Sequence, residues 1–265
     1  MKNFLKLFFR SLGLEIRKIN LNQQSTLQSK VFKMRQDMDE VLTHLKSLNY
    51  LPEVIIDCGT ADGTPVLTRV YPNAFYYFIE PLHEFRPKIE ALLEVYNGTY
   101  LPFAVGSKNE KLIINVHSDK LGSSLLHESD GSQADGIPRE IETITLDSLK
   151  PELNGKKGIL LKIDVQGFEL EVIKGATDIL SLVDVIIMEV SFFNFLKEAP
   201  DFTEVIQFMK AKGFVVYDIF GGHNRPIDLA MAQRDILFVK ENGKFRESHK
   251  WADDSQRQLM QNSVL

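Results

Sequence analysis

Cysteine is almost absent: Cys58 is the only one in 265 residues. This excludes an intramolecular disulfide and any multi-cysteine metal site, and a reducing, cytoplasmic setting fits best. Long apolar runs are also missing. The opening stretch, MKNFLKLFFRSLGLEIRKI, is broken by Lys6 and Arg10, so its runs are too short for a signal-peptide core and far too short to span a bilayer. The body of the chain has no excess of positive charge. Residues 1–50 carry nine Lys and Arg against four Asp and Glu, so a net charge of −5 leaves −10 for residues 51–265. An acidic body argues against nucleic acid as a partner. Internal repeats and low-complexity tracts are absent as well.

What is present is core material. Hydrophobic residues make up 44% of the chain, ample for one large α/β domain with a tail or for two small ones. In the opening stretch Leu5, Phe8, Phe9, Leu12, Ile16 and Ile19 recur at helical spacing, with Lys2, Lys6, Arg10, Arg17 and Lys18 between them. Residues 1–20 therefore read as a basic amphipathic helix. Such a helix either packs on its own domain or on a second subunit of a homo-oligomer, or makes peripheral contact with an anionic membrane surface.

From residue 51 apolar strands alternate with helical segments, the pattern of a parallel sheet covered by helices on both faces. The spacing predicts seven strands, at 54–58, 75–80, 99–105, 158–164, 183–190, 214–220 and 235–240. Helices are expected at 63–71, 83–96, 168–180 and 201–212, the last two ending in Lys174-Gly175 and Lys212-Gly213. About fourteen residues without helical period join the last two strands, a connection that suits antiparallel neighbours. Residues 107–157 break the rhythm with an inserted β-hairpin and, at 118–138, a polar loop that is either a functional lid or a flexible connector. The expected organisation is a helical extension at 1–50, the α/β domain at 51–245 and a tail at 246–265.

Residues 54–63, VIIDCGTADG, run a buried strand into a loop with glycine at both ends. In an open parallel sheet, ligands sit beyond the carboxyl ends of the strands where strand order reverses. Gly59 permits a sharp turn, Gly63 lets the next helix begin close to a ligand, and Asp57 is placed to accept from a cationic or hydroxyl group. Glu80 ends the second strand 23 residues after Asp57, the separation at which a carboxylate reaches the ribose hydroxyls of an adenosine. A dinucleotide fingerprint would need glycine at 59, 61 and 64, and the chain has Gly59, Ala61 and Thr64. Asp62 would also oppose a pyrophosphate. A phosphate-free, cationic adenosine cofactor suits this loop better, and S-adenosylmethionine is of that kind.

The second constellation is LLKIDVQGFELEVIKGA at 160–176. Lys162 and Asp164 share one face of the strand, and Asp164 stands at its carboxyl end. They are either a buried ion pair, costly unless something uses it, or part of a site. Glu169 and Glu171 fall in the first helical turn, where they suit the helix macrodipole.

With IIDCGTADG, YYFIEP, PFAVGS, GSSL, TITLDSL, LKIDVQGFELEVIKGA, IIMEVS and RDILFV in order across about residues 51–241, the chain resembles the FkbM-type methyltransferases. These are S-adenosylmethionine-dependent O-methyltransferases acting on sugars and other natural-product hydroxyls. The resemblance implies a Rossmann-like, seven-stranded class I methyltransferase sheet whose last strand is antiparallel. It implies that Asp57, Gly59, Thr60 and Gly63 hold the methionine end of the cofactor, Glu80 the ribose, and Leu82, Ala104 and Val105 the adenine. It puts Asp164 near the transferring methyl, with a small-molecule or glycan acceptor; no residue is assigned to a metal, and whether one is needed stays open. The chain departs from the family at Thr60-Ala61, commonly Ala-Asn, and at Gln166, commonly Glu.

Candidates for a general base are Asp164, then His83, then the loop residues His117, His127 and His223, with Lys162 orienting Asp164 or stabilising a developing alkoxide. Two other readings stay open: an NAD-binding Rossmann oxidoreductase, and a catalytically silent family member acting as a binding protein.

Overall fold

The computed structural model describes residues 34–131 and 135–261. In chain order its elements begin α1 (Met38–Ser47), β1 (Val54–Cys58), α2 (Pro65–Val70), β2 (Phe75–Ile79), α3 (Arg86–Leu93), β3 (Gly98–Leu101), β4 (Ala104–Val105), β5 (Glu110–Val116) and β6 (Ile137–Ile144). They continue with α4 (Lys150–Leu153), β7 (Ile159–Ile163), α5 (Glu169–Lys174), β8 (Val183–Ser191), α6 (Phe202–Ala211), β9 (Phe214–Asn224), β10 (Met231–Lys240) and α7 (Asp254–Gln261). One compact unit spans residues 35–249; the piece from Lys250 onward belongs to another and contributes α7. The amphipathic segment expected at residues 1–20, with the membrane or subunit contact it implied, lies outside the described residues. Among the described residues no helix is long and apolar enough to cross a membrane.

The main sheet has seven strands in the order β3-β2-β1-β7-β8-β10-β9. Strands β3 to β8 along this order are parallel, and β10 runs antiparallel to both β8 and β9. This is the Rossmann-like class I methyltransferase arrangement, with the antiparallel strand expected at the end of the chain. Strand order reverses between β1 and β7, so the crevice at their carboxyl ends is where a ligand belongs.

All five residues of β1 and all five of β7 are buried, which is why both read as nearly unbroken apolar runs. Their period of two sends Val54, Ile56, Cys58, Ile159, Leu161 and Ile163 into one core, against Val172 of α5 and Val205 and Met209 of α6. Ile55 and Leu160 enter the opposite core with Val41, Leu42 and Leu45 of α1, Leu67 of α2 and Ile89 of α3. Asp57 and Lys162 belong to this second face, at the end of the sheet where the apolar ladder stops. The helices that cover it are locally specified. Asp37 caps α1 by accepting from the Glu40 amide, and Asp201 and Glu204 form a reciprocal capping box at α6.

Three expected elements are corrected. The strand expected at 99–105 is two: β3 joins the main sheet, while β4 joins β6 and β5 in a separate three-stranded sheet. Pro102, which has no N–H to give a ladder, stands at the break. The helix expected over 168–180 stops at Lys174, followed by a 3-10 turn at Ile179–Ser181. A Cβ on Gly175 would sit 2.0 Å from the Gly106 carbonyl oxygen, so glycine lets these two backbones touch where α5 ends. The β9–β10 connection shrinks to residues 225–230, because polar residues extend the ladder to Asn224 and Met231 through irregular register. Gly222, at φ +70°, lies in that irregularity, where a Cβ would meet the Gln233 carbonyl oxygen at 2.0 Å.

Candidate functional site

A cavity of about 270 Å³ opens at the carboxyl ends of β1, β2 and β7, lined among others by Gly59, Glu80, Leu82, Ala104, Val105 and Asp164. Its floor is the turn after β1. Gly59 takes φ +70°, and a Cβ there would lie 1.9 Å from the Asp164 carbonyl oxygen, so the β1 turn and the end of β7 approach as only glycine allows. Ala61 also has a left-handed backbone, φ 45°, and its amide donates to Glu80 Oε2 at 3.0 Å. Thr60 Oγ1 donates to Asp57 Oδ2 at 2.8 Å, fixing one oxygen of a carboxylate with no exposure to solvent. The other, Oδ1, faces Lys162 Nζ at 3.3 Å as an ion pair and accepts no hydrogen bond in the structure.

Glu80, just past β2, is buried. Its Oε1 accepts from the Leu82 amide at 2.9 Å and its Oε2 from the Ala61 amide, which locks the carboxylate across the cavity wall. Burial pushes its pKa up to about 7 although both backbone donors pull the other way. A ligand presenting hydroxyl donors would favour the ionised form.

At the end of β7, Lys162 Nζ lies between Asp57 and Asp164, 3.4 Å from Asp164 Oδ2. Burial pulls the lysine down, but the carboxylates of Asp57 and Asp164 outweigh it, and its pKa is raised from the ordinary value. Gln166 Nε2 donates to Asp164 Oδ1 at 3.0 Å, so both Asp164 oxygens are held. The turn that presents Asp164 is tied by Glu169, whose Oε1 accepts from the Val165 and Gly167 amides at 3.2 and 3.0 Å. Cys58 has no part in this chemistry: burial, with Asp57 nearby, raises its thiol pKa far above the physiological range.

The residues singled out in the sequence fall into two groups at the cavity, and Gly63, His83 and Asp62 stand outside both. Gly59, Glu80, Leu82, Ala104, Val105 and Asp164 line the cavity. Asp57, Thr60 and Lys162 are buried behind its floor. Gly63, at φ +93°, instead makes room for α3: a Cβ there would meet Leu92 Cδ1 at 2.3 Å. His83 turns outward, its side chain 74% exposed beside the Arg139–Glu84 pair. Asp62 also points away, paired with Lys88 of α3.

Residues outside that set complete the walls: Phe103, and Lys120, Ser123 and Leu125 from the polar loop. This loop is held over the rim. Ser124 Oγ donates to the Gln166 carbonyl at 2.7 Å, and the Ser129 amide donates to the Phe195 carbonyl at 2.8 Å, beyond β8. Phe103 lies in the PFAVGS stretch and Ser123 and Leu125 in GSSL, while for Lys120 the sequence offered only the loop's length and polarity.

The residues present fit S-adenosylmethionine. Glu80, locked by the Ala61 and Leu82 amides, keeps lone pairs free on the wall, and Leu82, Ala104 and Val105 supply apolar surface.

The chain matches the Methyltransferase FkbM domain over residues 57–216, more than half its length. It is 26% identical over 174 residues to the hexuronic acid methyltransferase AglP of Haloferax volcanii, covering 62% of this chain and 70% of that protein. Among solved structures it resembles the magnesium protoporphyrin IX methyltransferase of Synechocystis at 12% identity and a TM-score of 0.43, over 90% of this chain and 96% of that one. Fibrillarin of Aeropyrum pernix matches at 12% identity and a TM-score of 0.41, over 71% of this chain and 67% of that one. The matched FkbM domain runs from Asp57 in the turn after β1 to β9, and the chain belongs to the FkbM methyltransferases, enzymes that take a methyl group from S-adenosylmethionine.

Proposed function

We propose that this enzyme methylates a hydroxyl group of a sugar, glycan or glycolipid. The observation that carries the reading is Asp164, a carboxylate on the cavity wall whose two oxygens are held by Gln166 and Lys162. A hydroxyl is a poor nucleophile until its proton is taken, and a positioned carboxylate can take it, a contribution of ~10²–10⁴-fold. The carbohydrate part of the reading is supported by the likeness to a hexuronic acid methyltransferase.

When bound, S-adenosylmethionine supplies a methyl group on a positively charged sulfur. The turn containing Asp57, Gly59 and Thr60 is assigned to its amino-acid end, Glu80 to its ribose hydroxyls, and Leu82, Ala104 and Val105 to its adenine. Lys162 keeps Asp164 oriented. The polar loop over the rim, through Lys120 and Ser123, excludes water and offers hydrogen bonds to an acceptor. His83 stands outside this scheme because it faces solvent.

The test is incubation of the protein with methyl-labelled S-adenosylmethionine and an extract of its native cell. Label in carbohydrate or lipid is expected; label in protein or nucleic acid contradicts the proposal.

A further inference from the structure

Glu189, near the end of β8, lies one strand beyond Asp164 in the sheet and has no role in the scheme above. The Gln166 side chain joins the two. Its Nε2 donates to Asp164 Oδ1 at 3.0 Å and to Glu189 Oε2 at 3.1 Å, and Gln233 Nε2 donates to the same Glu189 oxygen at 2.9 Å. The reverse amide orientation would set the Gln166 carbonyl against Asp164 Oδ1 and would take the donor away from it. Gln166 is further held in a left-handed backbone, φ 54°, while its own carbonyl accepts from Ser124 of the polar loop. A continuous chain of polar contacts thus runs Gln233–Glu189–Gln166–Asp164–Lys162–Asp57.

We propose that Glu189 is a positioning residue for methyl transfer: through the Gln166 amide it holds the Asp164 carboxylate at the cavity wall, and the two carboxyl groups act as one coupled pair. The groups facing Glu189 are Asp164, Glu169 of α5, Asp235 of β10 and Lys162 of β7. Burial first, then the three carboxylates, push Glu189 up to about 8 against the pull of Lys162. Below that pH Glu189 is neutral and the Gln166 amide has one anionic acceptor. Above it the Gln166 amide lies between two anions that share its donors.

The inference rests on Asp164 as the group that takes the proton. It is tested in the free protein by following the side-chain carboxyl carbons of labelled Asp and Glu by NMR from about pH 5 to 10. Asp164→Asn and Glu189→Gln assign the signals. The expected wild-type result is a Glu189 midpoint near pH 8 and a second displacement of the Asp164 signal over the same range. That second displacement is lost in Glu189→Gln. Gln166→Met keeps the side-chain volume but removes the donors, and is expected to raise the Glu189 midpoint by about half a pH unit or more. An Asp164 signal that does not move around pH 8 in the wild type, or moves equally in Glu189→Gln, overturns the inference. If Glu189→Gln does not fold, an unchanged Glu189 midpoint in Gln166→Met overturns it alone. Coupled titration together with undiminished methyl transfer in Asp164→Asn contradicts the proposed chemistry, and with it the role of Glu189. Absent coupling with transfer lost in Asp164→Asn contradicts the role of Glu189 only.

Discussion

Asp57 and Lys162 stand opposite each other in register across β1 and β7, with Lys162 Nζ 3.3 Å from Asp57 Oδ1 and both side chains almost wholly buried. Removing the cation leaves an uncompensated carboxylate in the core. Lys162→Met is therefore expected to lower unfolding stability by about 3–5 kcal/mol. Denaturant unfolding measures it, and a loss below about 1 kcal/mol would show that the pair is not a structural link.

Glu80 ties the Ala61 and Leu82 amides and is assigned to the ribose. With a pKa of about 7 in the free protein, it is mostly neutral at pH 6 and mostly ionised at pH 8. Affinity for S-adenosylhomocysteine should accordingly rise about tenfold between those pH values and then level off. Glu80→Gln should bind about tenfold or more weakly and lose the pH dependence. Titration calorimetry reads both, and a flat wild-type profile would remove Glu80 from the ribose.

The buried acids also set how stability varies with pH. Glu80, Glu169, Glu189 and Asp235 are raised to about 7, 7, 8 and 6, first by burial and then by neighbouring carboxylates. Groups raised on folding contribute stability that is complete below their ordinary range and disappears as pH climbs through the folded values. The melting temperature of the cofactor-free protein should fall from about pH 5 to 8.5, by about 5 °C or more. The exposed Glu84 and Asp228, pulled to about 2 by hydrogen bonds from Arg139 and Arg225, act only at lower pH. Calorimetric melts across this range check the sign, and a rise would contradict it.

Ala61 holds a left-handed φ of 45° without the side chain that makes such a conformation easy. Ala61→Gly should relieve the Cβ conflict and stabilise the turn by about 0.5–1 kcal/mol while keeping the amide bond to Glu80. Thermal melts with and without S-adenosylhomocysteine test it; destabilisation would mean that the Ala61 methyl group is itself packed.

Much of this was legible in the amino-acid sequence, for physical reasons. Strands such as β1 and β7, buried on both faces, announce themselves as apolar runs, and the acids ending them stand out against that background. Pro102 was harder to weigh, because Tyr100 to Val105 still reads as one apolar stretch. His83 follows Glu80 closely in sequence, but the 3-10 turn at His83–Phe85 sends Leu82 and Phe85 inward and the imidazole out. Gly63 has the spacing of a ligand-binding glycine, yet the space it leaves belongs to Leu92. Glu189 was hidden inside the run VIIMEV, since its partners Gln166 and Gln233 are distant in the chain and meet it only through the folded sheet.

The central claim is that Asp164 acts in methyl transfer without being needed to bind the cofactor. The most direct measurement compares wild type and Asp164→Asn for S-adenosylhomocysteine affinity and for transfer of label to the carbohydrate fraction. Affinity within about threefold and transfer reduced ~10²–10⁴-fold are expected. Undiminished transfer by Asp164→Asn would contradict the account.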